Sequence, residues 1–221
     1  MDAIARSEVL APVPGDPGQS ACFIPTPCVQ NHAAFLHLLP GGDLGCVWFG
    51  GTQEGVPDIS VHFSRLAAGA TRWSAPVRLS DDPTRSEQNP LLFTAPDGRL
   101  WLLWTAQVSG HQDTAIIRRR ISADGGRSWG PIETMLDRPG VFIRQPITVT
   151  RDGAWLLPAW LCPKPPAGAW RGDEDTSLVL VSTDAGGHWT AHDVPGSTGC
   201  VHMNILPLHD GTLLALYRSR W

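Results

Sequence analysis

The stretches SADGGRSW, residues 122–129, and STDAGGHW, residues 182–189, are two copies of one octapeptide, Ser-x-Asp-x-Gly-x-x-Trp, set 60 residues apart. Two copies in register at the spacing of a small structural unit mark an internal repeat, and a repeat decides the fold before anything else does. A worn copy precedes them between Ser64 and Trp73; it has lost the Asp and gained two residues. A second marker runs in phase: Asp97-Gly98, Asp152-Gly153 and Asp210-Gly211 each separate two apolar runs, and Gly41-Gly42-Asp43 is an earlier version. Asp-Gly between strand-like runs is a hairpin signal, because Gly supplies the positive φ a tight turn needs. The second repeat then reads as four strands: NPLLFTAP, RLWLLWTAQ, DTAIIRRRIS and GPIETML. The first and third repeats read the same way, with RQPITVT opening the third, and a fourth begins at VHMNILPL. Four antiparallel strands every 55 to 60 residues form a propeller blade. The expected fold is all-β, with about three and a half four-stranded blades.

Composition agrees. The chain has 221 residues, 42% of them hydrophobic and 17% charged, which is enough apolar material for a sizeable core. Gly 23 and Pro 20 suit many tight turns rather than helices. The net charge is −4, and the only cationic run is Arg118-Arg119-Arg120, which a strand would split between its faces. Nucleic acid is therefore not an expected partner. No stretch approaches the roughly 20 apolar residues of a membrane span, so no membrane partner is expected. The N-terminus shows no apolar run of the kind a secretory signal needs. Five scattered cysteines (Cys22, Cys28, Cys46, Cys162 and Cys200) read as mostly buried thiols in a reducing compartment, and a cytoplasmic location is expected. No CxxC or His pair accompanies Cys22 and Cys28, so neither a metal nor another cofactor is expected.

From about residue 20 onward, the Asp boxes resemble those of the sialidase (neuraminidase) superfamily, the BNR-repeat proteins. The resemblance implies that the box is a structural turn between third and fourth strands, away from the active site. Physical chemistry points the same way: the Asp bonds turn backbone, the Gly permits positive φ, and the Trp packs between sheets. Ser122, Asp124, Gly126, Trp129, Ser182, Asp184, Gly186 and Trp189 are thus expected to be structural. As a catalytic carboxylate pair, Asp124 and Asp184 would sit on turns of different blades, too far apart. Sialidases have six blades and some related propellers seven, so the resemblance implies an incomplete ring here with further blades toward the C-terminus. Residues 1–19 read as an N-terminal extension and residues 20–221 as the partial propeller domain.

Ligands meet a propeller where its innermost strands begin, near the axis. The residues just before each first strand are Gln30-Asn31-His32, Gln88-Asn89-Pro90, Arg144-Gln145-Pro146 and His202-Met203-Asn204, at spacings of 56 to 58. Four blades would present Gln, Asn, His and Arg to one mouth, where such groups bind hydroxyls and a carboxylate or bond one another around water. Asn31, Gln88, Asn89, Arg144, Gln145, Asn204 and Arg218 are the expected binding residues. The resemblance puts an acid/base Asp in the loop after the first blade's second strand, where Asp58 and Glu54 are the matches. It departs elsewhere. Sialidases carry Phe-Arg-Ile-Pro near the start, whereas Cys22-Phe23-Ile24-Pro25 here lacks the Arg. The family's Tyr nucleophile has no counterpart, because the single Tyr217 is mid-strand and expected to be core. The resemblance thus implies a carbohydrate-active, sialidase-like enzyme acting from the end of a glycan on a terminal acidic sugar. One alternative is a lyase or rhamnosidase-type propeller acting on rhamnose–glucuronate linkages, with His32 or His202 taking the proton α to a uronate carboxylate. Another is a glycan-binding propeller without catalysis. His37, His62, His111, His188, His192 and His209 read as structural.

Overall fold

The computed structural model describes residues 7–220; Met1 to Arg6 of the N-terminal extension and Trp221 lie outside the described residues. A hairpin of β1 (Ala11–Val13) and β2 (Asp16–Ala21) comes first, and the domain boundary expected at residue 20 falls inside it. Three blades follow. The first is β3 (Gln30–Leu38), β4 (Leu44–Gly51), β5 (Ser60–Leu66) and β6 (Val77–Arg78). The second is β7 (Arg85–Thr94), β8 (Leu100–Val108), β9 (Ile116–Ser122) and β10 (Glu133–Leu136). In the third, the innermost strand is broken into β11 (Val141–Ile143) and β12 (Thr148–Val149), beside β13 (Trp155–Leu161), β14 (Thr176–Ser182) and β15 (Thr190–Asp193). A two-stranded sheet, β16 (Cys200–Pro207) with β17 (Leu213–Ser219), begins a fourth. The fold is an incomplete sialidase-like β-propeller, all-β as the repeat requires.

The meander repeats because the turns repeat. Gly42, Gly98, Gly153 and Gly211 all have φ between 85° and 93°, the left-handed region that L side chains avoid. Each blade is sealed by apolar residues on its facing strands. Val47, Val61 and Phe63 of the first blade pack on Leu92, Leu102 and Trp104 of the second. Leu91, Trp101 and Leu103 pack in turn on Ile143, Trp155 and Leu157 of the third. RQPITVT does not form one strand: Pro146 has no N–H for the ladder, so pairing stops at Ile143 and resumes at Thr148.

Each box is the turn between the third and fourth strands of its blade, as Ser122 to Trp129 between β9 and β10 and Ser182 to Trp189 between β14 and β15. Asp124 accepts from the Arg127 and Ser128 amides at 2.9 and 2.8 Å and from the Ser122 and Ser128 hydroxyls at 2.7 and 2.6 Å. Asp184 accepts from the His188 amide at 2.8 Å, the His188 ring at 2.6 Å and the Ser182 hydroxyl at 2.8 Å. Donors converging on the ionised form hold both carboxyls well below the usual range, Ser128 leading for Asp124 and the His188 amide for Asp184. Gly126 and Gly186 are buried at φ 86° and 83°, and a Cβ on Gly186 would come within 2.5 Å of Trp101. Trp129 and Trp189 are partly buried, edge-on to Phe63 and tilted against Trp155.

The worn copy corrects to a different register. Leu66 pairs Leu44 as Ser122 pairs Leu100, so the box runs from Leu66 to Trp73, eight residues with nothing gained. Leu66, Ala68 and Ala70 stand where Ser, Asp and Gly stand elsewhere. Asp43 from the inner turn replaces the lost carboxylate: it accepts the Ala68 amide at 2.9 Å and pairs with Arg65 at 2.7 Å.

Beyond β17 the described residues provide no further sheet. Leu206, Leu213, Leu214, Leu216 and Tyr217 are exposed there, which corrects the expectation that Tyr217 is core. An unpaired strand edge with an apolar face favours association. The 221-residue chain is expected to self-associate at micromolar concentration in sedimentation velocity, and a monomer across that range would contradict this.

Candidate functional site

The innermost strands share a kink. Cross-strand pairing slips between His32 and Phe35, between Gln88 and Leu91, and between Val201 and Asn204. Ala33, Asn89 and His202 stand in these bulges at φ 53° to 54°, a left-handed conformation that costs a non-glycine residue roughly 1–2 kcal/mol. Bulges re-aim side chains and gather near binding sites. In the first, second and fourth blades the residues expected just before the first strand therefore lie within it, at the bulge, while in the third they lie in the break between β11 and β12.

Register also corrects their equivalence. His32 pairs Phe49, Gln88 pairs Thr105, Phe142 pairs Trp160 and Val201 pairs Arg218, and each second-strand partner stands seven residues after its turn glycine. His32, Gln88, Phe142 and Val201 are thus equivalent. Arg144 lies two positions further, in the break at Pro146, and His202 lies one further, inside its bulge. The even spacing of His32, Gln88, Arg144 and His202 hides an extra residue in the third blade.

Two groups result. In the first, His32 stacks on Phe49 at 5.3 Å, its Nε2 is 3.4 Å from Gln30 Oε1, and its Nδ1 is 3.9 Å from Glu54. The Glu54 amide donates to the same Gln30 oxygen at 3.0 Å, which folds the β4–β5 loop over the strand. His32 lines a cavity of about 440 Å³ with Phe23, Ile24, Asn31 and Trp48. Asp58, expected to overhang the same mouth, does not line it. It accepts the Thr52 amide at 3.1 Å and lines another cavity with Cys28, His62 and Arg78. Asn31 accepts the Trp48 indole N–H at 3.0 Å, and buried Gln88 donates to Ser86 Oγ at 3.1 Å, so both are used internally. Asn89 and Gln145 are half-buried, and neither side chain has a hydrogen-bond partner among the described residues.

The second group surrounds His202. Its ring lies 4.6 Å from that of Trp160, which stacks on Phe142 at 5.2 Å. Burial first, then the charges of Arg218, Arg144 and Arg220, push its pKa down to about 4. Arg220 is committed: it pairs with fully buried Asp175 and lies over Trp170. Asp175 also accepts the Trp170 N–H at 2.8 Å, which ties the β13–β14 loop to β17. Arg144, half-buried and partly desolvated, and exposed Arg218 have no carboxylate partner among the described residues. Asn204, on the same strand, is half-buried. No hydrogen bond, ion pair or ring contact among the described residues joins this group to His32 and Glu54. Loops link the face nonetheless: Gly55 O accepts from Gly110 N at 3.0 Å and Ser109 Oγ at 3.2 Å.

Sequence reasoning missed the ionic cluster of the second blade. Fully buried Glu87 accepts the Trp104 indole N–H at 2.8 Å and the Asp82 amide at 3.1 Å. Arg118 reaches Glu87 at 3.5 Å and Asp82 at 2.7 Å. Burial pushes the Glu87 carboxyl up, against those donors. A signal existed, since Trp48 and Trp104 lie 56 residues apart, as do their acceptors Asn31 and Glu87. Neighbouring Arg119 lies over Trp101 and pairs with Glu133, and Arg120 donates to three carbonyls. The cationic run is therefore consumed in packing. Among the described residues no three His, Cys, Asp or Glu side chains gather as metal ligands.

Residues 42–221 match the BNR repeat-like domain, and the chain belongs to that family. Solved structures share the fold at low identity. A Hadza microbial sialidase aligns with TM-score 0.72 at 14% identity, covering 87% of this chain and 43% of that one. Trypanosoma rangeli sialidase in complex with sialic acid aligns with TM-score 0.63 at 13% identity, covering 99% and 38%. An endo-arabinase from Bacteroides thetaiotaomicron aligns with TM-score 0.59 at 13% identity, covering 84% and 69%. The chain therefore spans about two fifths of the sialidases' length. No curated protein matches it in sequence.

Proposed function

We propose that the protein is a glycan-processing propeller of sialidase type that recognises a terminal acidic sugar, with Arg144 and Arg218 taking the carboxylate. One observation carries the reading: the charges of two arginines without a carboxylate partner bear on a histidine packed against the Trp160 ring. Guanidinium matches a carboxylate in a two-point fork, and partial burial strengthens the pairing. Neutral His202 and the amides of Gln145 and Asn204 supply donors and acceptors for hydroxyls. Glu54, beside His32, is the carboxyl we assign to general acid–base work on the glycosidic oxygen, ahead of Asp58 in its separate cavity. The solved sialidase with bound sialic acid supports an acidic glycan as partner. At His202 the lyase alternative gains no support, since a base whose conjugate acid lies near 4 has little drive to take a carbon-bound proton.

The test is a ligand panel in saturation-transfer NMR: sialyl and glucuronyl oligosaccharides, and the same sugars with the carboxylate reduced to an alcohol. Acidic members are expected to bind and their reduced counterparts to bind at least tenfold more weakly. Equal binding would remove the carboxylate from recognition.

A further inference from the structure

We infer that Cys28 and His62 form a thiol-modification site, in which His62 takes the Cys28 proton as the sulfur attacks a small disulfide. Cys28 Sγ lies 3.3 Å from His62 Nε2. The imidazole is buried and stacked on Trp48 at 5.7 Å, and a backbone hydrogen bond at Gly50 holds the ring. A nucleophile, a base in reach of it and a third group orienting that base are the parts an activated thiol requires. The loop fixes the sulfur from its own side: the Cys28 amide donates to Thr26 Oγ1 at 3.2 Å and its carbonyl accepts from Asn31 Nδ2 at 3.1 Å.

The pair opens to a cavity of about 310 Å³ lined also by Asp58, Ser60 and Arg78. Arg78 is exposed, and its charge bears on both partners, favouring thiolate at Cys28 and the neutral ring at His62. It also draws a disulfide that carries carboxylates. Asp58 opposes it at the sulfur. Burial raises Cys28 and lowers His62, so the resting pair is thiol and neutral imidazole, and the proton moves as the attack proceeds. Cys46 and Cys162 are buried, and burial pushes their thiols up, that of Cys46 to about 11. Only Cys22 and Cys200 share the partial exposure of Cys28, and neither has a histidine in contact.

The step balances. The Cys28 S–H proton passes to His62 Nε2, and the sulfur bonds one sulfur of the disulfide as its S–S bond breaks. The departing thiolate takes the proton back from His62. Cys28 is oxidised to a mixed disulfide, and the departing half is reduced to a thiol.

Glutathione disulfide is the probe, with native-state labelling read by peptide mass mapping from pH 6.5 to 8. Cys28 is expected to react before Cys22 and Cys200, at a rate nearly flat with pH because neutral His62 is present throughout. Unassisted attack instead rises about tenfold per pH unit below the thiol pKa, since only the thiolate is nucleophilic. His62→Gln is expected to slow Cys28 at least tenfold and restore that rise. Earlier labelling of Cys22 or Cys200, or a tenfold-per-unit rise in the unaltered protein, overturns the proposal. Should His62→Gln not fold, the pH profile of the unaltered protein decides by itself.

Discussion

Trp104→Ala is expected to cost at least about 4 kcal/mol of folding stability, since a large-to-small change in a core costs ~3–5 and an orphaned buried acceptor adds ~1–3. Trp104 is wholly buried between the first and second blades, and its indole N–H is a donor to buried Glu87. Removing it empties the inter-blade core and leaves Glu87 leaning on Arg118 and the Asp82 amide. Trp104→Phe separates the two terms, keeping most of the volume and losing the donor, and should cost ~1–3 kcal/mol. Urea denaturation followed by tryptophan fluorescence measures both. A loss below about 1.5 kcal/mol for the alanine variant would mean that the interface between these blades is not packed as described.

Arg144→Ala is expected to weaken binding of an acidic terminal sugar by roughly 100-fold, about 2.8 kcal/mol, within the range for losing one partner of a desolvated charge pair. Arg218→Ala should cost only about two- to fivefold, because Arg218 is exposed and water screens its pairing. Arg99→Ala is the control: it sits on an inner hairpin turn at the far end of the blade, paired with Asp97. Arg118→Ala is no control, because it strips buried Glu87 of its counter-charge and leaves Asp82 with Arg85 alone, at 3.8 Å. Isothermal titration with a sialyl or glucuronyl oligosaccharide measures the set. An unchanged affinity for Arg144→Ala would take this residue out of recognition.

The blade pattern was legible because its marks are local. An octapeptide turn and an Asp-Gly hairpin are each dictated by a few residues in sequence, and Ser122 to Trp129 forms the same structure wherever it stands. The position of the worn copy was misread because Ser64 imitates the missing box serine, while strand pairing gives that place to Leu66. The site was legible only as a zone. Even spacing pointed to Arg144 and His202, and the charge of Arg144 does bear on His202, but a proline break in one blade and a bulge in the next shifted them off strict equivalence. A bulge inserts a residue without any composition signal, so spacing alone does not reveal it. The separation of Glu54 from Asp58 depends on how an eight-residue loop folds across Gln30, which involves a strand some two dozen residues earlier.

The most direct test of the carboxylate site is the titration of His202 by NMR, with and without a saturating acidic monosaccharide. In the free protein, burial and the surrounding arginines keep the ring neutral from pH 8 down to near 4. Because the folded pKa lies below the ordinary histidine value of 6.5, protonating His202 opposes folding as pH falls between the two. A carboxylate seated on Arg144 and Arg218 offsets their charge and is expected to raise the His202 pKa above about 4, although burial, the larger cause, still holds it below 6.5; the reduced sugar leaves it in place. That rise at His202, with the histidines outside the two groups unmoved, is the result predicted here. A His202 titration unmoved by a bound acidic sugar would place the carboxylate elsewhere and contradict the site.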